Sequence, residues 1–146
     1  MEIGEDQPLG YQVARLAMMI RTQIGEALTP LNLTFPQYVC LRVLKDQPGK
    51  SNAGLARSTR VSPQSMHAVL QPLEDAGLVE RPASVEFGRA RPIHLTPRGT
   101  EVLTRAENAV HSAETRLLSH LSPRQQNEFK RALATLTALD IKLTEF

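Results

Sequence analysis

The sequence predicts a mainly α-helical chain carrying one small β-hairpin. Three observations lead there. A Ser or Thr one or two residues ahead of a proline opens an apolar run of helical period four times, at Thr34, Ser62, Thr96 and Ser122. Two short stretches, Leu78-Val79-Glu80-Arg81 and Ile93-His94-Leu95-Thr96, read as strands. Between two consecutive helical segments there is only Arg60-Val61, so those helices must cross steeply. With 146 residues, 41% hydrophobic and 22% charged, the chain has the length of one domain and the means to bury a core.

Each element has its own signal. Residues 1–9 are polar, with Gly4 and Pro8, and are expected to form a flexible arm ahead of a single domain over 10–146. From Tyr11 onward, Val13, Leu16, Ala17, Ile20, Ile24 and Leu28 recur every three or four residues until Pro30 ends the helix. Thr34 can cap the next helix, Gln37 can reach back to it, and Pro36 is tolerated in the first turn. Phe35, Tyr38, Val39, Leu41, Val43 and Leu44 make that helix apolar on several sides, so it should be central. Gln47-Pro48-Gly49 is a turn. Ser51 can cap a short helix ending near Thr59. Ser62 and Pro63 open the following one, which carries Met66, Val69, Leu70 and Leu73 on one face. Gly77 suits a left-handed C-terminal cap. Pro82 to Pro92 reads as the long tip of a hairpin. Thr96-Pro97 starts a helix with Val102, Ala106, Ala109, Val110, Ala113, Leu117 and Leu121 along it. Ser122-Pro123 starts the last, lined by Phe129, Leu133, Leu136, Leu139 and Leu143.

A helix-turn-helix followed by a basic hairpin is a winged helix, here over 33–99. Its second helix can enter the major groove of double-stranded DNA. With its apolar face buried, Ser62, Gln64, Ser65, His67, Ala68 and Gln71 are left as candidate DNA contacts. Gln, Ser and His can bond base edges, and an alanine methyl can meet a thymine methyl. Residues 81–98 hold four arginines against one acid, while the whole chain carries only +2. Arg89 and Arg91 are the wing candidates; Ser51, Arg57 and Arg60 are candidate phosphate contacts. The outer segments, 10–32 and 100–146, carry more amphipathic helix than a winged helix of about 70 residues needs, which favours dimerisation helices over a monomer core. Two-fold symmetry would match a palindromic operator.

Other functions find little support. The one cysteine, Cys40, lies on the apolar second helix and reads as a small buried hydrophobe rather than a redox sensor. His67, His94, His111 and His120 have no partner at the four-residue spacing of helical metal ligands, so no metal is expected. Ser65 and His67 point to different helix faces, and neither a phosphate loop nor a nucleophile elbow is present. Neither a catalytic residue nor a cofactor is expected. The acidic N-terminus lacks signal-peptide features, and no apolar run approaches the roughly 20 residues of a membrane span. A cytoplasmic location with no membrane partner is expected.

The chain also resembles the MarR family of winged-helix transcriptional regulators. The resemblance lies in Leu33-Thr34-Phe35-Pro36-Gln37-Tyr38, Leu55-Ala56, Val61-Ser62, Leu73-Glu74-Asp75-Ala76-Gly77-Leu78-Val79 and Leu95-Thr96-Pro97-Arg98-Gly99, in that order and spacing. It implies a homodimer on a palindromic operator, usually a repressor, often released by a small aromatic or phenolic effector. Such a ligand would sit between the dimerisation and DNA-binding parts, where Tyr38 and Arg42 are the candidate pocket residues. Three positions depart from the family pattern. Phe87 replaces the usual wing aspartate, Gly54 stands where Glu is frequent, and Pro72 lies inside the recognition helix, where it should cost a backbone bond and kink the helix. The function expected is a sequence-specific, ligand-released repressor. Its rivals are a ligand-independent DNA binder and a winged-helix protein-interaction module.

Overall fold

The computed structural model describes residues 6–82 and 91–139. Eight regular elements run in the order α1 (Leu9–Leu28), α2 (Phe35–Asp46), α3 (Asn52–Thr59), α4 (Pro63–Asp75), β1 (Val79–Glu80), β2 (His94–Leu95), α5 (Pro97–Leu118) and α6 (Pro123–Ala138). The order is the one the sequence predicts. The first helix starts two residues before Tyr11, because the Pro8 carbonyl accepts from the amides of Tyr11 and Gln12. Pro30 does not stop the chain abruptly; it sits in a single 3-10 turn, Thr29–Leu31, and Asn32 then takes a left-handed φ of 56°.

The capping signals explain where the helices begin. The hydroxyls of Thr34, Ser51, Ser62, Thr96 and Ser122 each accept from the backbone amide three residues on. At Thr34 the box closes in both directions, since Gln37 Oε1 accepts from the Thr34 amide at 3.0 Å. Gln37 is therefore buried with its amide oxygen satisfied. At Ser51 the reciprocal bond is missing, as Gly54 has no side chain to return it.

One core joins the elements. Ile24 and Leu28 of α1, Tyr38, Leu41 and Leu44 of α2, Leu55 of α3, and Met66, Leu70 and Leu73 of α4 meet Leu103, Ala106 and Val110 of α5. The apolar stripe expected on α5 missed Leu103, which is fully buried, and favoured Val102, which is half-buried. The docking of the α5 N-terminus decides this. Thr96 Oγ1 donates to the Gly77 carbonyl at 2.6 Å and accepts from the Gly99 amide at 2.9 Å. Gly99 then lies so close to β1 that a Cβ there would be 1.9 Å from the Leu78 carbonyl oxygen. Leu121 falls beyond the end of α5.

β1 and β2 pair antiparallel, with Val79 opposite Leu95 and Glu80 opposite His94. The loop after α2 extends the hairpin, because Gly49 N donates to Ile93 O and Ile93 N to Lys50 O, both at 3.0 Å. Gly49 has a φ of +85°, which favours glycine. The helix-turn-helix is equally tight. Arg60 takes a left-handed φ of 56°, and Val61 N donates to Ala56 O at 3.0 Å. α4 stays continuous through Pro72 to Asp75.

α6 behaves differently from the rest. None of its residues is buried; Leu133 and Leu136 are 47% and 63% exposed, and Leu139, just past its end, is 48% exposed. Leu143 lies outside the described residues.

Candidate nucleic-acid interface

The recognition helix α4 divides cleanly. Met66, Leu70 and Leu73 are buried and Val69 is half-buried, while Ser62, Gln64, Ser65, His67, Ala68 and Gln71 are all exposed. The six candidate contacts therefore all lie on the solvent-exposed arc of the helix, from the cap to the penultimate turn, with Ser65 and His67 toward its opposite edges. They are not equally available. Ser62 Oγ accepts from the Ser65 amide and donates to Ser65 Oγ at 2.9 Å. Its hydroxyl is consumed by the helix start, and Ser65 keeps an outward proton to donate. Gln71 Nε2 donates to Asp75 Oδ1 at 2.9 Å, which ties it back along the helix. Gln64 and His67 stand at the leading end, where a helix entering a groove makes its base contacts.

Of the phosphate candidates, Arg57 and Arg60 are exposed on the turn side of α3. Ser51 is half-buried, with its oxygen engaged by Gly54 N at 3.1 Å. Arg91 is exposed just ahead of β2. Arg89 and Phe87 lie outside the described residues. The structure also lowers the basic surplus counted in the wing. Arg81 is paired with Glu74, its Nε donating to Glu74 Oε2 at 3.0 Å. That ion pair is half-buried and clamps the base of the wing to the end of α4. Sequence reasoning missed it, because the partner acid lies on another element, before the hairpin.

Tyr38 and Arg42, the effector candidates, meet each other. Tyr38 is buried at 6% exposure, while Arg42 is exposed and bonded to the Tyr38 hydroxyl. That bond, helped by the negative potentials of Glu107 and Asp46, raises the guanidinium pKa above its ordinary value. Beside it, Lys45 Nζ reaches both carboxylate oxygens of Glu107 at 3.2 Å, joining α2 to α5. Cys40, on the same helix, is fully buried, and burial pushes its thiol up to about 12.

A second surface lies at the opposite end. An apolar cavity of about 630 Å³ opens between α1, α5 and α6, lined by Leu16, Ile20, Leu117, Phe129 and Leu133 among others. Glu26, Arg116 and His120 line a smaller polar cleft of about 410 Å³ that shares Gln23, Leu117 and His120 with it. Among the described residues no group of three or more potential ligands is placed to hold a metal ion, and no helix is long and apolar enough to cross a membrane.

Fold and surface together define a winged helix-turn-helix protein with an exposed recognition helix. The sequence profile of the MarR family matches residues 31–90. The HTH-type transcriptional repressor Rv2887 of Mycobacterium tuberculosis is 49% identical over 136 residues, 93% of this chain and 98% of that protein. The crystal structure of Rv2887 in complex with DNA superposes with a TM-score of 0.81 at 46% identity, over 90% of this chain and 98% of that one. Its complex with salicylic acid gives a TM-score of 0.76 at 50% identity over the same shares. The chain belongs to the MarR family.

Proposed function

We propose that this chain is a DNA-binding transcriptional repressor that acts in the cytoplasm as a homodimer on a palindromic operator and is released by a small aromatic acid. The observation that carries the reading is α4, whose polar side is entirely exposed while its apolar side anchors it to the core. The relative that forms a DNA complex shares nearly half of its residues with this chain. Gln64, Ser65 and His67 are the base-reading candidates, with Ala68 and Gln71 behind them. Arg57, Arg60, Arg91, Ser51 and Arg89 are assigned to the phosphates. The uncovered apolar faces of α1 and α6 support residues 10–32 and 100–146 as the dimerisation region. A regulator of this kind performs no reaction and needs no cofactor.

Release is a population shift. The dimer grips DNA when its two recognition helices sit about one duplex turn, roughly 34 Å, apart. A ligand preferring another separation weakens binding by its differential affinity for the two arrangements. The relative bound to salicylic acid supports an aromatic carboxylate as that ligand. Arg42, a cation at the junction of α2 and α5, is the proposed carboxylate partner.

Fluorescence anisotropy on DNA from upstream of the protein's own gene, against scrambled DNA across a salt series, tests this. Tight, salt-dependent and sequence-selective binding that salicylate weakens is expected. Equal affinity for both DNAs would reduce the protein to a general electrostatic binder, and indifference to salicylate would remove the effector. Gln64→Ala or His67→Ala should each erode discrimination by about 1–3 kcal/mol. Full discrimination in both variants would move the reading face elsewhere.

A further inference from the structure

We propose that Asn52 is a positioning residue for the recognition helix, tying the N-termini of α3 and α4 together so that α4 meets DNA at one fixed angle. This rests on the DNA-binding reading. Asn52 is the first residue of α3 and Pro63 the first of α4. Asn52 Nδ2 donates to the Pro63 carbonyl oxygen at 3.0 Å, across eleven residues of chain. The bond closes a ring containing all of α3 and the turn, with Val61 N on Ala56 O bracing the turn from inside. A carbonyl has two lone pairs, so Pro63 can accept from Asn52 without giving up its helical bond.

The arrangement is not built for stability. The amide must turn its nitrogen toward Pro63, because two facing oxygens would repel. This leaves Asn52 Oδ1 buried without a hydrogen-bond partner. A buried orphan acceptor offsets what the one good bond contributes. What the tie supplies is geometry. Met66, Leu70 and Leu73 form a single stripe that fixes the depth of α4, and Glu74 on Arg81 holds its C-terminal end. Asn52 holds the helix off the stripe and at its leading end, within a turn of Gln64, Ser65 and His67. Base-edge hydrogen bonds weaken steeply with misalignment, whereas phosphate contacts tolerate it. Losing the tie should therefore blunt discrimination far more than general affinity.

Asn52→Ala and Asn52→Asp in the full chain test this. Alanine removes both the tie and the orphan oxygen. Aspartate keeps the size and suits the first turn of a helix, but offers Pro63 an acceptor instead of a donor. The alanine variant should keep the thermal midpoint, and both variants should lose about tenfold in the ratio of operator to scrambled-DNA affinity, about 1.4 kcal/mol. The alanine variant should bind scrambled DNA as before. In the DNA-free protein, the Met66 and His67 amides should exchange hydrogen faster in both variants. An unchanged affinity ratio in both variants, against a discriminating wild type, overturns the proposal, as does unchanged exchange. A wild type that does not discriminate overturns the DNA-binding reading instead, and the exchange measurement still decides whether Asn52 holds the helix.

Discussion

Gly99 shows how much one residue can carry. It lets the start of α5 approach β1 so closely that any Cβ would overlap the Leu78 carbonyl oxygen at 1.9 Å. That neighbour is backbone and cannot swing aside. Gly99→Ala should destabilise the fold by about 1–3 kcal/mol, read as a lower urea midpoint, and an unchanged midpoint would mean that the helix can slide away at no cost. Cys40 makes a prediction in pH. Its thiol stays protonated in the folded protein up to about 12, whereas the unfolded chain ionises near the ordinary value of 9.0. Above pH 9 the unfolded state therefore binds fewer protons, and stability falls as pH rises toward 12. At pH 10 the loss is about 1.4 kcal/mol, one pKa unit's worth. Urea titrations at pH 7 and pH 10 should show a larger drop for wild type than for Cys40→Ala. Equal drops would contradict the burial argument.

Among the elements, α4 is the one most in tension with its own sequence. Ser62 caps it and Pro63 opens it, both in keeping with a helix start. Pro72 is not, since it removes a backbone donor inside the helix. The helix nevertheless continues, held by Leu70 and Leu73 on the core side. Pro72→Ala should restore a bond to the Ala68 carbonyl and raise stability by about 2 kcal/mol, checked by the thermal midpoint. A lower midpoint would show that the proline shapes a packing contact. The exposed and buried sides of α4 were legible because helical periodicity reads directly from spacing. The clamp from Arg81 to Glu74 was not, because the distance between residues on different elements is set by the turn at Gly77, whose φ of +73° swings the strand back along the helix. Leu103 was missed for a related reason. The rotation of α5 about its axis is fixed by Thr96 and Gly99 against Leu78, not by its own apolar pattern.

For the whole molecule, the α1, α5 and α6 end remains apolar and uncovered within one chain. Leu133, Leu136 and Leu139 face solvent beside a cavity of about 630 Å³. Patches of this kind mark an interface. Leu133→Glu with Leu136→Glu should shift the protein from dimer to monomer in sedimentation velocity. It should also cut operator affinity sharply, because each half-site would then be bound alone. A variant that remained dimeric would place the interface elsewhere.

The sequence alone determined the kinds and order of the elements. Caps, prolines and apolar periods act within a few residues, so they need no tertiary context. It also determined that α4 would offer Gln64, Ser65, His67 and Ala68 on one side. The tertiary structure decided that Arg81 is taken up by Glu74. It also decided how α4 is aimed, through a bond from Asn52 to a carbonyl eleven residues away. The Arg81 pair and the Asn52 bond depend on where separate elements come to rest against each other, which packing of the whole core sets and local spacing does not encode.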